Sequence, residues 1–208
     1  MNTAVEAGNK DQFDYHRDSD HNYLLTEALQ SRYALATHYL NNCNHIVEIG
    51  SFQTPITTFL KTPCKSITVI DPMVDPYHAE VHNGHPCKVK HIPVSIQDYE
   101  ITQEQGRYGI VLLGLDLDFP RNAQELANQT FHKLIGLIDN AHVTIIEYAM
   151  FYKIAASQVA YILARTKAEI VQQIDLDFQQ NMEAIRFTPN LSKPYLQRRF
   201  IVLKQKGS

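Results

Sequence analysis

The sequence predicts one α/β domain built on a mostly parallel sheet with helices on both faces. Five apolar runs of strand length alternate largely with segments of helical periodicity, which is typical of such three-layer folds. Two further strands follow each other near the end with no helix between them, which predicts an antiparallel hairpin at a sheet edge. The predicted sheet therefore has seven strands: residues 45–49, 66–70, 89–94, 108–113, 142–146, 170–178 and 199–204.

Four segments carry the signals of helices. Apolar residues recur at helical spacing over residues 22–41, 122–139 and 153–167. A further helix is expected from Pro55 to about Lys61, with Thr54 as its N-cap and Pro55 at its first position. Residues 1–21 are predicted to form a separate N-terminal segment, and residues 22–208 a single domain.

Composition excludes several classes of partner. The 208 residues carry a formal net charge of −3, with 44% hydrophobic and 20% charged residues, which is the balance of a soluble globular protein. Nothing in this balance favours nucleic acid or an anionic membrane as partner. The densest basic cluster is interpreted as the solvated side of the last strand. Its members are Arg198, Arg199, Lys204 and Lys206.

Cellular location is inferred from the start of the chain and from the cysteines. Residues 1–10 lack the apolar run of a signal peptide, and no apolar stretch is long enough to span a bilayer. The three cysteines, Cys43, Cys64 and Cys87, show no disulfide framework. We therefore expect a cytoplasmic protein with reduced thiols.

Two acidic residues and a glycine lie where the first two strands end. Gly50 directly follows the first buried strand, which contains Glu48, and Asp71 ends the second strand. A glycine turn allows close approach of a ligand, and a carboxylate at the tip of the second strand can accept both hydroxyl hydrogens of a ribose. Together these features predict a nucleoside site. The loop after Gly50 lacks the further glycines of a dinucleotide fingerprint, and no phosphate-binding Gly-Lys-Ser/Thr segment is present.

These motifs resemble the class I S-adenosylmethionine-dependent methyltransferases. The resemblance extends from about His45 to the C-terminus and rests on the segments 47–50, 70–71, 94–98 and 111–114 together with the closing pair of strands. It implies a Rossmann-like methyltransferase fold and S-adenosylmethionine as cofactor.

The resemblance also implies roles for individual residues. Glu48 would orient the loop and the amino group of the methionine part, Gly50 would pass close to the ligand, and Asp71 would hold the ribose. Ser51 and Phe52 continue the loop and belong to the same expected site. The remaining members would frame the adenine (Ser95 and Ile96) or line the methionine end (Leu113 and Gly114).

Candidate bases come from three places. Asp116 and Glu147 follow the fourth and fifth strands, at the expected mouth of the site. Tyr15 and His16 lie in the segment 1–21, which could fold over the acceptor as a lid. For each, a purely structural role is the open alternative.

A histidine-rich stretch between the second and third strands resembles a metal cluster only superficially. His78 and His82 have the spacing of one helix face, but Gly84 and Pro86 interrupt it before Cys87, and no known zinc spacing is matched. We interpret the stretch, which also contains His85, as a polar loop and predict no metal.

The predicted function is methyl transfer from S-adenosylmethionine to a small-molecule acceptor. Two alternatives remain open at this point. The segments 49–51 and 55–57 resemble the nicotianamine synthases, which move the aminocarboxypropyl group of the same cofactor. The single glycine of the first loop also allows a non-catalytic, methyltransferase-like partner protein. The sequence leaves the oligomeric state open, with a homodimer as one option.

Overall fold

The structure is a computed structural model that describes residues 30–51, 55–100, 106–113, 124–150, 153–177 and 197–205. Within these residues one eight-stranded sheet runs in the order β3-β4-β2-β1-β5-β6-β8-β7. The strands are β1 (His45–Ile49), β2 (Ser66–Ile70), β3 (Tyr77–His82), β4 (His85–Ile92), β5 (Tyr108–Leu113), β6 (Val143–Ala149), β7 (Glu169–Asp177) and β8 (Gln197–Lys204). The helices are α1 (Gln30–Leu40), α2 (Gln124–Asn140), α3 (Lys153–Leu163) and a 3₁₀ helix (Ile56–Phe59).

The five central strands are parallel, as the sequence predicts. Each of β4, β2, β1, β5 and β6 pairs in parallel with its neighbour. At one edge β8 lies antiparallel between β6 and β7, which confirms the predicted C-terminal hairpin. The carboxyl ends of the parallel strands therefore share one edge of the sheet, where such folds bind ligands.

Two apolar layers cover the sheet. Alternate residues of a strand face opposite sides, and because both sides are covered, β1, β2, β5 and β6 are apolar along most of their length. On one side Ile46 and Val111 pack with Leu40 of α1 and Leu60. On the other side the strand residues meet α2 and α3, for example through Leu112 with Leu134 and Val159. Whether a polar residue of these strands faces the α1 side or the α2 and α3 side therefore depends on its place in this alternation.

The predicted count of seven strands is wrong by one, because the histidine-rich stretch is a hairpin and not a loop. β3 and β4 are antiparallel and are joined by Asn83 and Gly84, with φ angles of 47° and 79°. Positive φ at both central residues is the geometry of the two-residue hairpin turns for which Asn-Gly is the strongest signal. His78 and His82 thus lie on a strand, where helical spacing has no meaning.

Each of the four segments predicted to be helical contains a helix, but the helices begin or end at other residues than predicted. The described part of the first begins at Gln30 and ends at Leu40, just before the predicted end. The helix expected from Pro55 to about Lys61 is only one 3₁₀ turn, because Leu60 already adopts an extended conformation (φ −64°, ψ 130°). Pro63 in turn disfavours helical geometry at Thr62, which prevents the helix from resuming after Lys61. α3 ends at Leu163, before the predicted Lys167.

Candidate functional site

The strand register places the predicted residues in one row at the carboxyl edge. Ile49 pairs with Ile70 of β2 and with Leu112 of β5, so Gly50 follows in line with Asp71 and Leu113. Leu113 in turn pairs with Glu147 of β6. Four residues that are widely separated in the sequence therefore lie side by side at or near the carboxyl ends of four parallel strands: Asp71, Gly50, Leu113 and Glu147.

Gly50 makes the tight turn that the sequence predicts, and the contact responsible is with β5. Its φ is +81°, a conformation that side-chain-bearing residues rarely adopt. A Cβ at this position would lie 2.3 Å from the carbonyl oxygen of Leu113. The Gly50 N–H donates to the carbonyl of Ile70 at 3.2 Å. The turn is thus held between the ends of β2 and β5.

Glu48 fixes the chain that leaves this turn. It faces the α1 side of the sheet and is completely buried. Its carboxylate accepts the N–H of Ile56 at 2.8 Å, the N–H of Thr57 at 2.9 Å and the Thr57 hydroxyl at 2.5 Å. Burial raises the pKa of Glu48 to about 7, although the hydrogen bonds from Thr57 and Ile56 favour the charged form. The carboxylate therefore orients the first turn of the 3₁₀ helix.

Asp71 lies at the tip of β2 in a fixed conformation. It is 8% exposed, and its Oδ1 accepts the N–H of Met73 at 2.7 Å. This bond to the second residue onward is an Asx turn, which is favoured by Asp before a loop. The Asp71 N–H donates to the carbonyl of Ile92 at 3.3 Å, which ties the turn to the end of β4. These two hydrogen bonds fix the orientation of the Asp71 side chain and backbone at the strand end.

Glu147 lies in a buried ion-pair cluster with two arginines. Arg32 Nε of α1 donates to its carboxylate at 2.8 Å, and Arg198 Nε of β8 donates to Oε1. Burial opposes ionisation, but the two guanidinium groups outweigh it and lower the pKa of Glu147. All three side chains are buried. The two ion pairs disfavour the general-base role predicted for Glu147. They indicate instead that its carboxylate joins α1 to β6 and β8.

The two arginines are the residues that sequence reasoning misses. The sequence predicts that Arg198 faces solvent with Arg199, but the two point to opposite sides of β8. Arg198 is buried at Glu147, whereas Arg199 binds Asp175 of β7 at 2.6 Å near the surface. The period-two alternation of a strand beside an apolar run is the signal that could have found Arg198.

The remaining predicted residues fall into two groups. Ile96 is buried in the apolar layer on the α2 side, and the neighbouring Ser95 hydroxyl donates to Asp98 at 2.6 Å, both just beyond β4. Ser51 is buried directly after Gly50. The other predicted residues lie outside the described residues: Tyr15, His16, Phe52, Gly114 and Asp116.

Two of the cavities formed by the described residues lie on the α1 side, and neither is lined by the residues predicted to bind the cofactor. One of about 450 Å³ lies between the 3₁₀ helix and the β3–β4 hairpin, with Thr57, Asp75 and His91 on its wall. The other, of about 730 Å³, lies along α1 at Tyr33 and Phe59. The predicted residues Gly50, Asp71 and Leu113 lie instead at the carboxyl ends of the parallel strands. The described residues contain no group of three or more His, Cys, Asp or Glu side chains suited to a metal ion.

Comparisons with known proteins show the fold. No protein-family model and no curated protein matches the sequence. Among solved structures, the N-methyltransferase NodS from Bradyrhizobium japonicum WM9, in complex with S-adenosylhomocysteine, superposes with a TM-score of 0.58 at 13% identity, over 91% of this chain and 94% of that one. Magnesium protoporphyrin IX methyltransferase from Synechocystis PCC 6803, with bound S-adenosylmethionine, superposes with a TM-score of 0.50 at 13% identity, over 99% of this chain and 100% of that one.

A third structure agrees with these two. The 1,6-didemethyltoxoflavin-N1-methyltransferase from Burkholderia thailandensis, with 1,6-didemethyltoxoflavin and S-adenosylhomocysteine bound, gives a TM-score of 0.53 at 11% identity, over 86% of this chain and 78% of that one. At such low identity the likeness concerns the fold. The chain therefore has the Rossmann-like fold of class I S-adenosylmethionine-dependent methyltransferases. No helix in the described ranges has the length and apolar character needed to cross a membrane.

Proposed function

We propose that this chain, which has the class I methyltransferase fold, binds S-adenosylmethionine at the carboxyl edge of β1, β2, β4 and β5 and transfers its methyl group to a small-molecule acceptor. The observation that carries the proposal is the row formed by Asp71, Gly50 and Leu113. A buried, oriented carboxylate beside a backbone turn without a side chain suits an adenosine whose ribose lies against the strand ends.

The residues of this row fit the cofactor in chemistry. Asp71 would accept the ribose hydroxyl hydrogens, with its orientation set by the Met73 N–H. The backbone at Gly50 and Leu113 would line the methionine end, and Ser95 and Ile96 would frame the adenine. When bound, the cofactor supplies an electrophilic methyl group on a positively charged sulfur, so the chain itself has to align donor and acceptor.

Glu48 is proposed to act through the loop. Its exposed fraction is zero and its oxygens already accept three hydrogen bonds from Ile56 and Thr57. Such burial supports the loop-orienting part of its expected role over direct contact with the methionine amino group. Glu48 is therefore a positioning residue, and Asp71 is the direct ligand.

The acceptor is proposed to be a small molecule. The net charge of −3 gives no attraction to a polyanion, and the similar structures include an N-methyltransferase and a porphyrin methyltransferase. We retain Tyr15, His16 and Asp116 as proposed bases for acceptors that must lose a proton. Glu147 is not among these bases, because Arg32 and Arg198 neutralise its carboxylate.

The test is calorimetry of the purified protein with S-adenosylmethionine and S-adenosylhomocysteine. We expect both to bind, and Asp71→Ala to weaken binding by roughly 10- to 100-fold, since it removes hydrogen bonds to a charged acceptor. Asp75→Ala changes an exposed acid four residues further along the same loop and should leave the affinity within about twofold.

The outcomes separate the competing functions. Absence of binding to the folded wild-type protein would make the chain a non-catalytic relative, and an unchanged affinity in Asp71→Ala would overturn the ribose assignment. Turnover with candidate acceptors identifies the group transferred, because methyl transfer releases S-adenosylhomocysteine, whereas aminocarboxypropyl transfer releases methylthioadenosine.

A further inference from the structure

Two cysteines meet where β4 runs beside the start of β2. The Sγ atoms of Cys64 and Cys87 lie 3.5 Å apart, and both residues are buried, with 7% and 3% of their surface exposed. Both are free thiols. Cys64 precedes β2 and Cys87 lies in β4, so the contact joins the β3–β4 hairpin to the start of β2.

The strand register shows that this contact is built into the sheet. Ser66 pairs with Lys88 in the parallel pair of β2 and β4, and the Lys88 N–H donates to the Lys65 carbonyl at 2.9 Å. In this register Cys87 lies beside Lys65, and Cys64 is offset from Cys87 by one residue along the strand direction. Neighbouring strands lie about 4.8 Å apart, and disulfides join Cα atoms separated by roughly 4.4–6.8 Å. The two Sγ atoms, 3.5 Å apart, need to approach by about 1.5 Å to reach the S–S bond length of roughly 2.05 Å, which side-chain rotation can supply.

We propose that Cys64 and Cys87 form a dithiol site that a hydroperoxide oxidises to an internal disulfide, joining β4 to the start of β2. One thiolate attacks the peroxide oxygen, which gives a sulfenic acid and releases an alcohol, or water from hydrogen peroxide. The second thiol then displaces the sulfenic oxygen as water, and the S–S bond forms. Two thiols and one peroxide thus give one disulfide, one alcohol or water, and one further water.

Burial sets the rate of this reaction. It raises the pKa of Cys64 to about 12, with the nearby Cys87 adding to the effect, and it raises the pKa of Cys87 as well. Since the thiolate is the reactive form, both groups react slowly at neutral pH. We expect the oxidation rate to rise roughly tenfold from pH 7 to pH 8, in proportion to the thiolate fraction.

The bridge would act on the β3–β4 hairpin. The hairpin leads directly from the Asp71 turn, and Val74 and Val89 line one wall of the cavity beneath it. A covalent link from Cys87 to the start of β2 would hold that wall against the central strands. The inference stands apart from the proposed function, because it concerns only the two thiols.

The experiment uses hydrogen peroxide, intact-mass measurement and peptide mapping under non-reducing conditions. Trypsin cleaves after Lys65, between the two cysteines, so a disulfide appears as two peptides joined through sulfur. We expect a joined pair that contains Cys64 and Cys87 in the wild-type protein and in Cys43→Ser. Cys43 is also buried and free, which makes it the matched control. Cys64→Ser and Cys87→Ser should each abolish the joined peptides.

Three results would overturn the proposal. One is a wild-type monomer at pH 8 that proceeds to sulfinic or sulfonic acid with no joined peptides. Another is a joined pair that contains Cys43, and the third is a disulfide found only between two chains. Thiol titration of the untreated protein is the control, because it shows that all three thiols are reduced before peroxide is added. Any disulfide found afterwards then comes from the peroxide treatment.

Discussion

The α-carbon of Gly50 and the carbonyl oxygen of Leu113 lie so close that a Cβ on Gly50 would come within 2.3 Å of that oxygen. The end of β1 is thus packed against the end of β5 through backbone alone. Because the clash is with main-chain atoms, no side-chain rotation can relieve it. This contact determines where the backbone lies at the proposed cofactor site.

Gly50→Ala should therefore be severely destabilising. The strained φ of +81° and the backbone clash act together, and we expect a loss of roughly 3–5 kcal/mol in the free energy of unfolding. Gly84→Ala is the matched control, because Gly84 has a φ of +79° but nothing within 4 Å of the added Cβ. It should lose only about 1 kcal/mol. Urea denaturation of both variants checks this, and equal losses would mean that the Leu113 contact is unimportant.

Glu147→Gln should destabilise the protein by breaking the buried cluster. Removing the carboxylate that Arg32 and Arg198 share leaves two buried guanidinium groups poorly compensated, which costs about 3–5 kcal/mol. Asp175→Asn breaks the more exposed pair with Arg199 and should cost less than about 1 kcal/mol. Chemical denaturation measures both. A loss at Glu147 no larger than that at Asp175 would contradict the structural role of the cluster.

Glu48 should make stability depend on pH between about 4.5 and 7. Its pKa is about 7 in the folded protein against an ordinary value of 4.5, so the unfolded chain ionises first as the pH rises. The folded state binds the extra proton in this window, and stability consequently falls with rising pH, by up to about 3 kcal/mol from this group. Above pH 7 the contribution levels off.

The measurement compares wild type with Glu48→Gln at pH 5, 6, 7 and 8. The stability difference, wild type minus variant, should decrease with pH up to about 7 and then remain constant. Glu125→Gln, at an exposed position of α2, is the control and should leave the slope of wild type unchanged. A difference that increases with pH would mean that hydrogen bonds from Ile56 and Thr57 outweigh burial.

The β3–β4 hairpin has a signal in the sequence that a second pattern obscures. Asn83-Gly84 between two polar strands is a typical hairpin turn, yet the spacing of His78 and His82 equally suits a helix face. Neither β3 nor the first half of β4 is apolar, because β3 is an edge strand that faces solvent. Periodicity predicts buried strands well and says little about exposed ones.

The sequence by itself determined the central strands, their parallel orientation, and the acidic residues and glycine at their ends. Buried strands are specified by local apolar runs and by the glycine and aspartate that end them, which are short-range features. Only the tertiary structure decided what those polar residues contact. Glu48 meets Thr57, and Glu147 meets Arg32 and Arg198, 115 positions before it and 51 after it. Such partnerships depend on which strand ends become neighbours in space, which no local pattern encodes.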